Sequence, residues 1–142
     1  MAIFNTYLNF NGNAEEAFIF YKSVIGGEFG VLMRYQDIPG GDKVAEDVKD
    51  KIMHISLPLG NGNILMATDA VASMGHKLLT GNNFYISIYP ESKEEAEKMY
   101  YGLSAGGKID QPLEDAFWGA YFGMFTDKFG IQWMVNYEYP KN

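Results

Sequence analysis

Few side chains in this sequence can do chemistry by themselves. It holds two histidines, His54 and His76, and no cysteine, so disulfides, thiolate catalysis and every Cys-based metal site are excluded. His54 lies in the strand-like run KIMHISLPL. An imidazole there is either a hydrogen-bonded structural group or an acid–base in a pocket, because it titrates near neutrality. Arg34, in LMRYQD, is either a surface cation or an anion clamp. His76 falls in the polar stretch DAVASMGHKLLTGN and is expected to be solvated. Asp69 and Asp127 stand beside the ends of strand-like runs, where a carboxylate is expected to cap a turn rather than bind metal. Nucleophile elbow, glycine-lysine phosphate loop and G-x-G-x-x-G after a strand are all missing from the sequence. Without a nucleotide-binding α/β pattern, no S-adenosylmethionine site is expected.

A different kind of signal comes from DKFGIQWMVNY, residues 127–137. Ile131, Trp133 and Val135 alternate with Gln132, Met134 and Asn136, the pattern of a half-buried strand. Met134 sits on the more polar side and therefore needs something to face.

The elements that would position these residues occur twice. TYLNFNGNAEEAFIFYKSVIGGEF and FYISIYPESKEEAEKMYYGLSAGGKI each open on a short alternating run. Each then presents a helix start with an acid three residues on, Asn13 with Glu16 and Ser92 with Glu95. Ala17, Phe20, Tyr21 and Val24 match Ala96, Met99, Tyr100 and Leu103 as an i, i+3, i+4, i+7 stripe. Glycine pairs, Gly26-Gly27 and Gly106-Gly107, stop both helices. Strands are expected near 28–36, 51–59 and 63–68, and again near 107–110, 117–125 and 131–138. The spacing thus predicts two tandem βαβββ units, about 1–68 and 82–142, within a single α+β domain. The acidic segment 37–50 is either a surface loop or a lid over a pocket.

Composition narrows the partners. The 142 residues are 47% hydrophobic and 20% charged, as in an ordinary globular domain. Ten Tyr, ten Phe and two Trp supply enough ring area for a core or a lined cavity. A net charge of -7, with eleven basic residues scattered along the chain, speaks against nucleic acid. No apolar run is long enough for a membrane helix, and no signal-peptide pattern opens the chain. A cytoplasmic protein is expected.

The duplicated unit resembles the vicinal oxygen chelate superfamily, which includes glyoxalase, bleomycin-resistance and extradiol dioxygenase proteins. YLNFNGNAEEAFIFYKSVIGGEF, ILMATD and FWGAYFGMFTDKFGIQWMVNY look like its PhnB-like branch, whose members often carry a demethylubiquinone methyltransferase label. The resemblance implies two curved sheets around a cavity, with helices outside. Leu8, Phe10, Ile86 and Ile88 would then face the helices, while Asn5, Tyr7, Asn9, Asn83, Tyr85 and Ser87 face inward, as do Gln132, Met134 and Asn136. Metal-using relatives carry His or Glu at inward positions that match Asn5, Met66, Asn83 and Met134 here. Two amides and two thioethers are poor ligands for a hard divalent ion, so no metal and no other cofactor is expected.

Two functions follow from the resemblance. The first is a metal-free binder of a small molecule, lined by Asn5, Tyr7, Met66, Asn83, Tyr85, Trp118, Tyr121 and Met134, unless these side chains simply fill the space between the sheets. The second is an enzyme using the same cavity, with His54 as acid or base and Arg34 as anion clamp. A homodimer is expected on either reading.

Overall fold

The structure is a computed structural model that describes residues 1–141. It divides into two compact units, Met1–Leu79 and a second that begins at Thr80. Each is a βαβββ unit with one four-stranded sheet, as the repeat predicts, and neither sheet is closed.

In the first unit β1 (Thr6–Phe10) leads into helix α1 (Ala14–Ile25), followed by β2 (Leu32–Arg34), β3 (Ile52–Gly60) and β4 (Asn63–Asp69). The sheet order is β1-β4-β3-β2, with β1 parallel to β4 and the other pairs antiparallel. Leu8, Phe10, Ile55, Leu57, Leu65 and Ala67 are buried on one face, against Ala14, Ala17, Phe18 and Tyr21 of α1. The expected stripe is thereby rotated: Phe18 is buried and Phe20 only partly so. Phe18 sits edge-on to both Phe10 and Tyr21, at centroid distances of 6.3 and 5.6 Å, which draws it into the core.

The start of α1 also departs from expectation. Asn13 makes no side-chain capping bond. The Ala14 N–H donates instead to Asp69 Oδ1 at 2.9 Å, while the Ile52 N–H donates to Asp69 Oδ2 at 2.8 Å. One buried carboxylate at the end of β4 thus serves the first turn of the helix and the first residue of β3. The segment 37–50 is not a plain loop: it holds short 3-10 turns and helix α2 (Glu46–Lys49). Val48 packs with Tyr35 and Val71 in a small apolar cluster joined by Ile38, Val44 and Met53.

The second unit repeats the plan with β5 (Ile86–Ile88), helix α3 (Lys93–Ser104), β6 (Lys108–Ala116), β7 (Ala120–Thr126) and β8 (Gln132–Glu138). The order β5-β8-β7-β6, with β5 parallel to β8, copies the first sheet. Here the cap is local, Ser92 Oγ accepting from the Glu95 N–H at 3.0 Å, while Glu95 reaches back to the Glu91 N–H. Trp133, Val135 and Phe125 are buried beneath Ala96, Tyr100 and Leu103 of α3. Tyr100 lies across Gly123, where an added Cβ would come within 2.5 Å of its ring, and its hydroxyl donates to the Gln111 carbonyl at 2.8 Å. β6 runs well past the expected 107–110. Pro112 lies on the outer edge of the sheet, beside irregular register, where its missing N–H is tolerated.

Candidate functional site

Strand alternation leaves one face of each sheet without a helix. In the first unit that open face carries Tyr7 and Asn9 from β1, Met66 and Thr68 from β4, His54 and Ser56 from β3, and Met33 from β2. Register fixes the rows: Tyr7 beside Met66, Met66 beside Ser56, and Met33 beside His54. The Tyr7 hydroxyl lies 3.2 Å from His54 Nδ1, with either group able to donate, and the rings are 5.6 Å apart. Burial, then the neighbouring Tyr35 phenol, push the Tyr7 hydroxyl above its ordinary value, against a lowering contribution from Thr68. Tyr35 reaches the same region from below, donating to the Asp69 carbonyl at 2.8 Å and lying 3.4 Å from Thr68 Oγ1.

Arg34 is placed differently. Its guanidinium forms a two-point pair with Glu15 of α1, at 2.9 and 2.8 Å, and donates to the Asp50 carbonyl at 2.8 Å. These bonds tie β2 to the helix and take three of the five guanidinium donors, with the Glu15 carboxylate already in the place of an anion. Asp127 acts as a turn acceptor, whereas Asp69 departs from that expectation and accepts the distant Ala14 and Ile52 N–H groups. Asp127 takes N–H groups from Phe129 and Ile131 and, on its other oxygen, the indole N–H of Trp133.

In the second unit the open face carries Ser87, Met134, Met124 and Gln111 in one row, and Asn136, Phe122 and Glu114 in the next. The Trp118 indole donates to Asn136 Oδ1 at 3.2 Å and meets Phe122 edge-on at 5.1 Å, which brings Trp118 to this face. Tyr121 belongs to the other side. It pairs with Tyr137, one step out of phase with Met134, and the Lys93 ammonium of α3 lies 4.8 Å from its ring centre. The inward assignment of Tyr121 is therefore corrected. In an alternating strand, Phe122 takes the place expected for it.

Register also corrects the match between the repeats. Met66 lies beside Tyr7, but Met134 lies beside Ser87, so Tyr7 corresponds to Ser87 and Asn5 to Tyr85. Asn5 is exposed, and its Oδ1 accepts from the Ile64 N–H at 3.1 Å. Asn83 is exposed in the bend before β5, outside the sheet. Between strand and helix cap the second unit is one residue shorter, five positions from Ser87 to Ser92 against six from Tyr7 to Asn13, which hides this shift from a residue-by-residue alignment.

One acidic group was missed. Asp110, at an irregularity in β6, accepts from Thr126 Oγ1 at 2.8 Å and from the Tyr85 hydroxyl at 3.5 Å. Burial, then the Asp110 charge, raise the Tyr85 phenol above its usual value. Its only sequence signal was an acid in a polar run. Among the described residues, no three His, Asp or Glu side chains converge as a metal site would require.

Comparison with known proteins agrees with this architecture. The family model of the Glyoxalase/Bleomycin resistance protein/Dioxygenase superfamily matches residues 3–135. Protein YjdN of Escherichia coli is 30% identical over 141 residues, covering 92% of this chain and 91% of its own. Protein PA1353 of Pseudomonas aeruginosa is 40% identical with a TM-score of 0.85, covering 97% of this chain and 98% of its own. A PhnB protein from Bacillus cereus is 26% identical with a TM-score of 0.75, covering 96% of this chain and 99% of its own.

Proposed function

Because the chain belongs to the Glyoxalase/Bleomycin resistance protein/Dioxygenase superfamily, we propose that it binds a small organic molecule on its open sheet faces without a resident divalent metal. One observation carries this reading: the donor set of those faces. Met66 and Tyr7 stand side by side in the first unit, Met134 and Ser87 in the second, and no imidazole–carboxylate cluster accompanies them among the described residues. Thioethers and rings form an adaptable apolar wall, and a few fixed polar groups orient a ligand. The same reading places the protein in the cytoplasm as a homodimer. No helix among the described residues is long and apolar enough to cross a membrane.

Metal analysis tests the proposal directly. After supplementation with Zn, Ni, Fe and Mn and then dialysis, the protein is expected to retain well below one equivalent. A full equivalent that Met66→Ala or Met134→Ala releases overturns it. Native mass spectrometry of the gently purified protein is expected to show a small-molecule adduct.

A second reading rests on the Tyr7–His54 hydrogen bond. Two groups that share a hydrogen bond on an open face can serve as an acid–base pair. If they do, His54→Gln retains binding of the captured compound and loses its conversion.

A further inference from the structure

Beyond the Tyr7–His54 pair, the first unit contains a hollow of about 420 Å³ at the far ends of β1 and β4. It is lined by Asn9 and Thr68 from the strands, by Ala70, and by His76, Lys77 and Leu78 from the following turn. We propose that this hollow is an anion subsite, taking the carboxylate or phosphate head of a small organic acid whose apolar body lies on Ala70 and Leu78. The inference rests on the reading that the open face of this unit takes a small molecule, and narrows it to a charge class.

The turn that builds the hollow is closed by a two-way clasp. The His76 N–H donates to the Val71 carbonyl at 3.2 Å, and the Val71 N–H donates to His76 Nδ1 at 2.9 Å. An Nδ1 that accepts a backbone N–H carries no proton, so the ring proton sits on Nε2, a donor left for another partner. Gly75, at φ 87°, supplies the left-handed residue that lets the turn fold back. The Ala70 N–H donates to the Phe10 carbonyl at 2.7 Å, which holds the turn to the end of β1.

The groups gathered there are donors of the right sign. Lys77 takes no part in the ion pairs of Lys22, Arg34, Lys49 and Lys108. Asn9 offers an amide, while the Thr68 hydroxyl already donates to the Ile52 carbonyl at 3.3 Å and so only lines the wall. None of the lining side chains is acidic. The nearest carboxylate in sequence, Asp69, is turned to the opposite face and occupied by the Ala14 and Ile52 N–H groups. In a chain of net charge -7, a hollow lined by a lysine and no acid is a local reversal of sign. Its volume suits a compact ligand.

The test uses the full chain, three six-carbon probes and backbone amide NMR at neutral pH. Hexanoate and hexyl phosphate present the two candidate heads, and hexanamide is the neutral control. Saturable shifts at Asn9, Thr68, Lys77 and Leu78 are expected with at least one anion, with hexanamide at least tenfold weaker. If only one anion binds, its head group is assigned. Lys77 is exposed, so Lys77→Gln is expected to keep the melting temperature while weakening the anion at least tenfold. Hexanamide binding as tightly as the anions, or Lys77→Gln binding unchanged, overturns the charge assignment and leaves small-molecule binding standing. No saturable shift from any probe overturns the hollow as a site. The broader reading fails separately, if a fragment library also leaves Tyr7, His54 and Met66 unmoved.

Discussion

At the scale of single residues, side chains with acid or base chemistry are mostly occupied by architecture. Asp69 is 1% exposed and accepts two backbone N–H groups. Asp69→Ala strands both donors, at about 1–3 kcal/mol for each unsatisfied buried group, so urea unfolding is expected to show a loss of about 2–6 kcal/mol. The Glu15–Arg34 pair shows how chemistry and structure separate. The hydrogen bond from Arg34, its largest influence, holds the Glu15 carboxyl below the ordinary 4.5. A depressed folded-state value contributes stability that is present above the unfolded value and lost as pH falls through the folded one. Wild type is therefore expected to melt above Glu15→Gln at neutral pH, and the gap to close below pH 4.5. Both side chains are partly exposed, which limits the gap to about 1 kcal/mol or less. Residue chemistry was only half legible in the sequence. The turn-capping role of Asp127 could be read from its place at a strand end, whereas that of Asp69, whose partners lie 55 and 17 residues away, could not. The occupation of Arg34 could not, because Glu15 lies on another element and nothing local pairs them.

At the scale of elements, the two helices were legible because their periodicity is local, yet their caps differ for a long-range reason. Ser92→Ala is expected to cost about 1 kcal/mol in chemical denaturation, the usual value for a lost N-cap. Asn13→Ala is expected to cost distinctly less, since its side chain caps nothing and Asp69 serves Ala14. Gly123→Ala tests how closely α3 lies on β7. Its new methyl would meet the Tyr100 ring at 2.5 Å and the Leu113 Cα at 3.0 Å. Overpacking of this kind costs about 1–3 kcal/mol, and the pair Gly123→Ala with Tyr100→Leu is expected to recover part of it. Parity along a strand was readable wherever alternation was clean, as in β1 and β8. It failed for Tyr121 because aromatic residues crowd both faces of β7. It failed between repeats because matching Tyr7 to Tyr85 and matching it to Ser87 differ by two positions, a shift that leaves each side chain on the same face and so goes unseen in the alternation.

For the whole molecule, duplication is the feature most visible in sequence, and both units share one strand order. The candidate site was less legible, since its polar groups come from positions fixed by turns. Asn9, Thr68 and Lys77 meet only because the Val71–His76 clasp folds the turn back toward the strands. Each unit also keeps large apolar side chains exposed, Phe4 and Leu79 in the first and Phe117 and Trp118 in the second. Apolar surface of this kind is what subunit association covers. Light scattering at micromolar concentration is expected to give twice the 16.0 kDa chain mass. A monomer mass would remove the homodimer from the proposal.

The different caps of α1 and α3 have a consequence for the order in which the chain is made. α3 meets its acceptor as it emerges, because Ser92 directly precedes it. The acceptor for Ala14 lies 55 residues further along, at Asp69. At about 5–20 residues per second, a nascent chain would wait roughly 3–11 s between the two. Through that interval the first helix has an open amino end and depends on its own weak propensity, since short helices are marginal in water. Ribosome-stalled chains ending before and after residue 69 has cleared the exit tunnel should therefore differ abruptly in protease resistance near Ala14. Around α3, resistance should grow gradually with length.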